Sequence, residues 1–99
     1  MDTKQMAKIF KALSNPNRLE LYLKIAHAQE EGFDTGGECT ITDIMSCLNI
    51  GAPTVSHHIK ELANANLITT ERRGKFLICK VNKQLTLEVS KLLALPPYD

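Results

Sequence analysis

The apolar positions of the chain follow a helical period in its first third. Over about residues 2–13 they recur at three- and four-residue spacing, which predicts a short amphipathic helix with lysines on its other face. Asn15 and Pro16 predict a second helix, because asparagine caps helices and proline suits their first turn. This helix is expected to end before Gly32. The stretch from Gln29 to Glu38 shows no apolar period and is expected to be an exposed loop, either a tolerated insertion or an effector surface.

A pair of helices is predicted over about residues 40–65. Thr40 followed by Asp43 is typical of a capping box and indicates the start of the first helix of the pair. Pro53 is tolerated only near a helix N-terminus, so the second helix begins there, after a tight turn at Gly51. The buried face of this second helix is expected to consist of Val55, Ile59 and Leu62.

Beyond Leu67 the period changes from helical to that of strands. Two such runs flank Gly74 within about residues 67–82, which predicts a β-hairpin with a basic tip. A helix pair followed by this hairpin is the arrangement of a winged helix-turn-helix, in which the second helix enters the major groove of DNA. A last apolar helix is predicted over about residues 83–95. The predicted fold class is therefore mainly α with a small β-hairpin (α+β), in one domain covering residues 1–99.

The positive charge of the chain is concentrated where a DNA contact would need it. The net charge of all 99 residues is only +1. Residues 51–82, however, carry five basic and two acidic side chains, whereas the remaining segments together are net negative. A local excess of this kind indicates a nucleic-acid contact more directly than the overall charge does.

Several classes of protein are disfavoured by the composition. Five aromatic residues are too few for a platform that stacks single-stranded bases. No secretory signal and no apolar run of about 18 residues is visible, so we expect a cytoplasmic protein without a membrane contact. We also expect no enzymatic activity, because the sequence contains no nucleophile with a base, no paired carboxylates and no phosphate-binding glycine loop.

Four residues of the predicted recognition helix are candidates for DNA contact: Thr54, Ser56, His57 and Lys60. All lie off its apolar face, and residues near a helix N-terminus usually reach base edges. We expect Ser56 and His57 to read bases and Lys60 to contact phosphate, because a flexible point charge positions a protein without reading sequence. The alternative is an ordinary solvated helix face. His58 differs, since it flanks the apolar face and is expected to be a buried structural histidine.

The hairpin tip supplies three further candidates, Arg72, Arg73 and Lys75. They surround Gly74, and arginine is favoured at the negative potential of the minor groove or the backbone. The alternative is a tip that is charged only for solubility. We favour a wing that contacts DNA.

Two segments of the chain resemble the ArsR/SmtB family of winged-helix repressors. The first is FKALSNPNRL (residues 10–19), and the second is TVSHHIKEL (54–62) followed by ANLI (65–68). The resemblance implies a homodimer that binds double-stranded operator DNA and is released by a metal, an oxidant or another signal. The helices over about 2–13 and 83–95 are the expected dimer interface.

Neither metal site that the resemblance suggests is complete. Many relatives carry two cysteines in a pattern that corresponds to residues 38–44, where this chain has Thr40 and Thr42, and hydroxyls are poor ligands for soft metals. The other site uses histidine and carboxylates on the last helix, but residues 83–99 contain no histidine. We therefore predict no metal and no cofactor.

Three cysteines without C-x-x-C spacing are expected to be reduced thiols. Cys47 and Cys79 fall on apolar faces and are interpreted as core residues. Cys39 is the candidate redox thiol, because we expect it at a junction between a loop and a helix N-terminus, which lowers a thiol pKa.

The function predicted from the sequence is a sequence-specific transcriptional regulator of the repressor type, controlled by an unidentified signal. The alternative is a winged helix that binds another protein and does not read DNA. Charge reversal of Arg72 and Arg73 distinguishes the two, because only the first depends on a basic wing.

Overall fold

The computed structural model describes residues 1–31, 39–40, 51–74 and 76–94. It contains four helices and three strands in these ranges. In chain order they are α1 (Thr3–Leu13), α2 (Pro16–Glu31), β1 (Cys39–Thr40), α3 (Ala52–Asn64), β2 (Ile68–Arg73), β3 (Phe76–Val81) and α4 (Lys83–Leu93). The predicted mainly helical fold with a β-hairpin is confirmed. The helix expected over residues 41–50, which includes Cys47, lies outside the described residues.

The helix starts follow from local capping chemistry. The Asp2 carboxylate accepts a hydrogen bond from the Gln5 amide at 2.8 Å, and the Gln5 side chain accepts one from the Asp2 amide at 3.3 Å, which closes a capping box on α1. The Asn15 side chain accepts from the Arg18 amide at 3.1 Å, so the predicted cap of α2 is confirmed. The Asn82 side chain accepts from the Leu85 amide at 3.2 Å and caps α4.

The strands form one antiparallel sheet in the order β1, β3, β2. The hairpin pairs Ile68 with Val81 at one end and Arg73 with Phe76 at the tip. Gly74 has a φ of +60° in the turn, a left-handed conformation that glycine adopts without steric cost. The predicted hairpin is therefore confirmed.

Two expectations about the segment between α2 and α3 are wrong. Gln29 to Glu31 belong to α2, so the loop expected from Gln29 begins later, and residues 32–38 lie outside the described ranges. Cys39 and Thr40 form β1 on the edge of β3, so Cys39 lies in a strand and not in a loop, and the helix expected to follow it lies outside the described residues. A strand of two residues has no sequence period, and it forms here because β3 offers backbone hydrogen-bonding groups at that edge.

The hydrophobic core lies where α1, α2 and α3 meet the hairpin. Its most deeply buried side chains are Leu21, Ile25, Val55, Leu62 and Cys79. α4 joins this core only through partly buried residues, and the Tyr22 hydroxyl is hydrogen bonded to the Thr86 hydroxyl at 2.9 Å. In the described ranges, no helix combines the length and the hydropathy needed to cross a membrane.

Candidate nucleic-acid interface

α3 is held by one buried face. Four residues of α3 are buried: Val55, His58, Ile59 and Leu62. Their spacing along the chain places all four on one side of the helix. The predicted apolar face and the predicted burial of His58 are confirmed. The opposite side of the helix is thereby fixed in direction and exposed to solvent.

A hydrogen bond between Arg18 and His58 joins the start of α2 to α3. Arg18 Nε donates to His58 Nδ1 at 3.3 Å, and its terminal nitrogen donates to the Ala12 carbonyl oxygen at 3.2 Å. Burial, the charge of Arg18 and the neighbouring His57 lower the pKa of His58. The imidazole is therefore neutral at pH 7, and its Nδ1 is the acceptor that the guanidinium needs.

The four residues predicted to contact DNA from α3 share the exposed side of that helix. Thr54, Ser56, His57 and Lys60 are all exposed. Gly51 is the N-cap of the helix and has no side chain to cap it, and no side chain in the described residues accepts a capping hydrogen bond there. The structure thus brings the predicted helix residues together on one surface with an open helix N-terminus.

Two of the three predicted wing residues, Arg72 and Arg73, lie at the tip of the hairpin. Arg72 and Arg73 end β2 and are exposed, and Lys75 lies outside the described residues. Arg73 forms an ion pair with Glu71 at 2.9 Å, with 51% and 59% of the two side chains accessible. This pairing was not foreseen from the sequence, because residues two apart on a strand share a face only once the strand is formed.

The turn at Asn66, which we call the Asn66 joint, connects α3 to the wing and was not predicted from the sequence. Asn66 has a φ of 62°, a left-handed conformation that asparagine tolerates better than most residues. The Leu67 amide donates to the Leu62 carbonyl at 3.0 Å, and the Asn82 side chain donates to the Asn66 carbonyl at 3.0 Å. These bonds end α3 and tie the start of β2 to the end of β3.

Cys39 and Cys79 lie directly opposite each other in the β1–β3 register. Cys79 is buried, as predicted. Within the described ranges, no three side chains from histidine, cysteine, aspartate and glutamate are gathered as a metal site would require. The expectations of no metal and no cofactor remain predictions, as does the redox role of Cys39.

A helix with one buried face and an exposed polar face, followed by a basic hairpin, is typical of a winged helix-turn-helix protein. A helix-turn-helix domain profile matches residues 13–71. The transcriptional repressor SdpR of Bacillus subtilis is 32% identical over 77 residues, which are 78% of this chain and 76% of the relative. The arsenical resistance operon repressor of Staphylococcus xylosus is 30% identical over 84 residues, 85% of this chain and 72% of the relative.

A solved structure shares the fold. It is the homodimeric winged helix-turn-helix DNA-binding domain of a possible ArsR-family regulator from Mycobacterium bovis, with a TM-score of 0.69 and 21% identity over 91% of this chain and 75% of that one. The chain belongs to the ArsR/SmtB family of helix-turn-helix transcriptional regulators, which confirms the resemblance seen in its sequence. The family is one of DNA-binding regulators and not of enzymes.

Proposed function

We propose that this protein represses transcription as a homodimer bound to operator DNA, with α3 in the major groove and the hairpin on the adjacent backbone. The observation that carries the proposal is the exposed face of α3. Ser56, His57 and Lys60 project from a helix whose other side is locked into the core by four buried residues. A helix presented in this way enters a major groove without distorting its own fold.

The side chains on this face are suited to different contacts with DNA. Ser56 and His57 offer hydrogen-bond donors and acceptors near the helix start, where base edges are within reach. Thr54 lies in the first turn, beside backbone amides that favour a phosphate oxygen. Lys60 supplies a flexible positive charge for the backbone, which fixes position without reading sequence.

The hairpin adds arginines beside the groove. Arg72 is exposed, and no carboxylate in the described part of the chain pairs with it. Arg73 is paired with Glu71, but exposed ion pairs contribute only about 0–1 kcal/mol, so a phosphate can replace the carboxylate. The wing therefore contributes mainly through electrostatic attraction to the duplex.

Exposed apolar side chains on α4 and α1 support the homodimer. Leu87, Leu92 and Leu93 on α4 are each more than half exposed, and Phe10 on α1 is 42% exposed. Exposed leucines grouped on one helix mark an interaction surface in a soluble protein. The homodimeric state of the Mycobacterium bovis domain is consistent with this use of the surface. Two α3 helices of such a dimer would reach half-sites roughly 34–36 Å apart.

Selection from random duplex DNA tests the proposal. We expect the purified, reduced protein to enrich a pseudo-palindromic site at moderate salt. The variant Arg72→Glu with Arg73→Glu should weaken binding and lower the dependence of log K on log salt by about two, because each phosphate that a side chain neutralises accounts for roughly 0.9 of that slope. The control, Lys24→Glu, reverses an exposed charge on α2, away from the wing and from the proposed dimer interface.

Two results would contradict the proposal at different levels. No enrichment at low salt would exclude sequence-specific DNA binding and favour a protein partner. If the wild type enriches a site but the arginine variant keeps the same salt slope, only the proposed contact of the wing with DNA is excluded.

A further inference from the structure

A basic groove lies between α1, the turn that joins α1 to α2, and one flank of α3. Its volume is about 580 Å³. We call it the corner groove. The side chains that give it its charge and polarity are Lys8, Lys11, Arg18, His57, Glu61 and Asn64.

The corner groove carries positive charge that the described part of the chain does not neutralise. Lys8 and Lys11 are exposed and lie one helical turn apart, and neither ammonium group has an ion-pair partner among the described residues. Arg18 donates to a neutral imidazole and to a carbonyl oxygen, so its charge also lacks a carboxylate partner there. Glu61 is the one acidic side chain among the residues that line the groove. The groove therefore favours an anion.

The corner groove is continuous with the face of α3 that is proposed to enter the major groove. His57 and Asn64, seven residues apart on α3, line the groove and are also exposed on the outer side of the helix. A major groove is about 12 Å wide, so a helix inside it has a phosphate backbone on each side. A DNA strand that passed this flank of α3 would run along the mouth of the corner groove.

We propose that the corner groove holds backbone phosphates of the operator, bound by Lys8 and Lys11 beside His57. The inference rests on the proposed DNA-binding function and extends the interface from α3 and the wing to α1. Arg18, held by its two hydrogen bonds, adds a positive charge behind the two exposed lysines. Contacts of this kind increase affinity for every sequence alike.

The variant Lys8→Gln with Lys11→Gln tests the inference. Affinity is measured by fluorescence anisotropy on the selected operator and on a scrambled duplex, over a series of potassium chloride concentrations. We expect the salt slope to fall by about two, with the same fold loss on both duplexes, because phosphate contacts carry no sequence information. The control is Lys24→Gln, which removes an exposed lysine of α2 outside the groove and should keep the wild-type slope.

A second variant should increase operator affinity, an effect that misfolding cannot produce. Glu61→Gln removes the acidic side chain from the corner groove, so operator affinity at low salt should rise by about twofold to fivefold, the range of a single exposed charge interaction. Sedimentation shows whether the lysine variant dissociates into monomers. If it does, the affinity of Glu61→Gln decides whether the corner groove binds phosphate.

The outcomes separate this inference from the function on which it rests. A wild-type salt slope in the lysine variant, or unchanged affinity in Glu61→Gln, would overturn the corner groove as a phosphate site, while the arginine variant of the wing still weakened binding. If the wild type shows no operator preference and neither pair of substitutions changes its salt slope, the DNA-binding proposal itself fails.

Discussion

At the scale of single residues, two adjacent histidines of α3 have opposite environments. His57 is exposed and His58 is buried, because successive residues of a helix point about 100° apart. Burial alone would leave the ring nitrogens of His58 without partners, and Arg18 satisfies one of them. One histidine is thereby available for a ligand, and the other holds the helix in place.

The substitution His57→Ala should weaken operator binding by about 1–3 kcal/mol and relax selectivity, because it removes an exposed side chain that is proposed to read bases. The melting temperature should stay close to that of the wild type, since His57 lies off the core. Competition between the selected site and single-base variants measures both effects. Unchanged affinity and selectivity would exclude His57 from base reading.

The stability of the fold should decrease as the pH falls below about 6.5, the ordinary pKa of histidine. Because burial, Arg18 and His57 lower the pKa of His58, the unfolded chain binds a proton in this range that the folded chain does not bind. Urea unfolding at a series of pH values measures the effect. His58→Asn keeps an acceptor near Arg18 without titrating and should flatten the profile. Equal profiles for wild type and His58→Asn would refute the assignment.

At the scale of elements, the wing is positioned by two pairings, one at the base of the hairpin and one along the middle of β3. The Asn66 joint fixes where β2 leaves α3, and β1 adds a third strand to the other edge of β3. Both pairings join segments that are distant in sequence, as Asn66 and Asn82 show. The position of the wing relative to α3 is therefore a property of the sheet and not of the hairpin alone.

The β1–β3 register predicts that oxidation links Cys39 to Cys79. Directly opposed residues of antiparallel strands have Cα atoms about 4.5–5.5 Å apart, within the range that a disulfide spans. Hydrogen peroxide would take two electrons and two protons from the thiols and be reduced to water. We expect a linked pair of peptides containing Cys39 and Cys79 by mass spectrometry after mild peroxide treatment.

The cysteine variants provide the controls for this prediction. Cys39→Ser should abolish the linked peptides, and Cys47→Ser should preserve them. Operator affinity before and after oxidation then reports whether the bond acts as a signal. Complete alkylation of Cys39 and Cys79 after peroxide treatment would contradict the prediction.

At the scale of the whole molecule, α4 leaves much of its apolar surface exposed to solvent. Leu85 and Val89 pack against the core, whereas α4 contains no fully buried residue. A domain of this size buries only a modest share of its surface. A second chain that covered the exposed Leu87, Leu92 and Leu93 would therefore stabilise the fold and form a symmetric dimer.

The substitution Leu87→Lys should convert the proposed dimer into monomers, because a lysine placed on an apolar interface must be desolvated. Operator Kd should rise by about a hundredfold or more, since the two half-sites then bind independently. Sedimentation velocity measures the oligomeric state. Gln84→Lys, at an exposed polar position of the same helix, should remain dimeric. A monomeric wild type, or a dimeric Leu87→Lys, would disprove an interface centred on this face.

The hydrophobic pattern and the caps were sufficient to predict most of the described fold. The apolar spacing located α1, α3 and α4, and the alternation around Gly74 located the hairpin, because each is a regular element with its own period. The burial of His58 and the exposure of Ser56 and His57 followed from the same helical period. Local geometry therefore decided which side chains α3 presents.

Only the tertiary structure decided what depends on pairing between distant segments. The bond from Arg18 to His58, the bond from Asn82 to the Asn66 joint, and the strand containing Cys39 each join residues that no periodicity relates. The sequence by itself determined that the chain forms helices with one apolar face and a basic hairpin. The packing of those helices determined that lysines of α1 and a histidine of α3 line one groove, because the direction of a helix is set by the surface against which its apolar face packs.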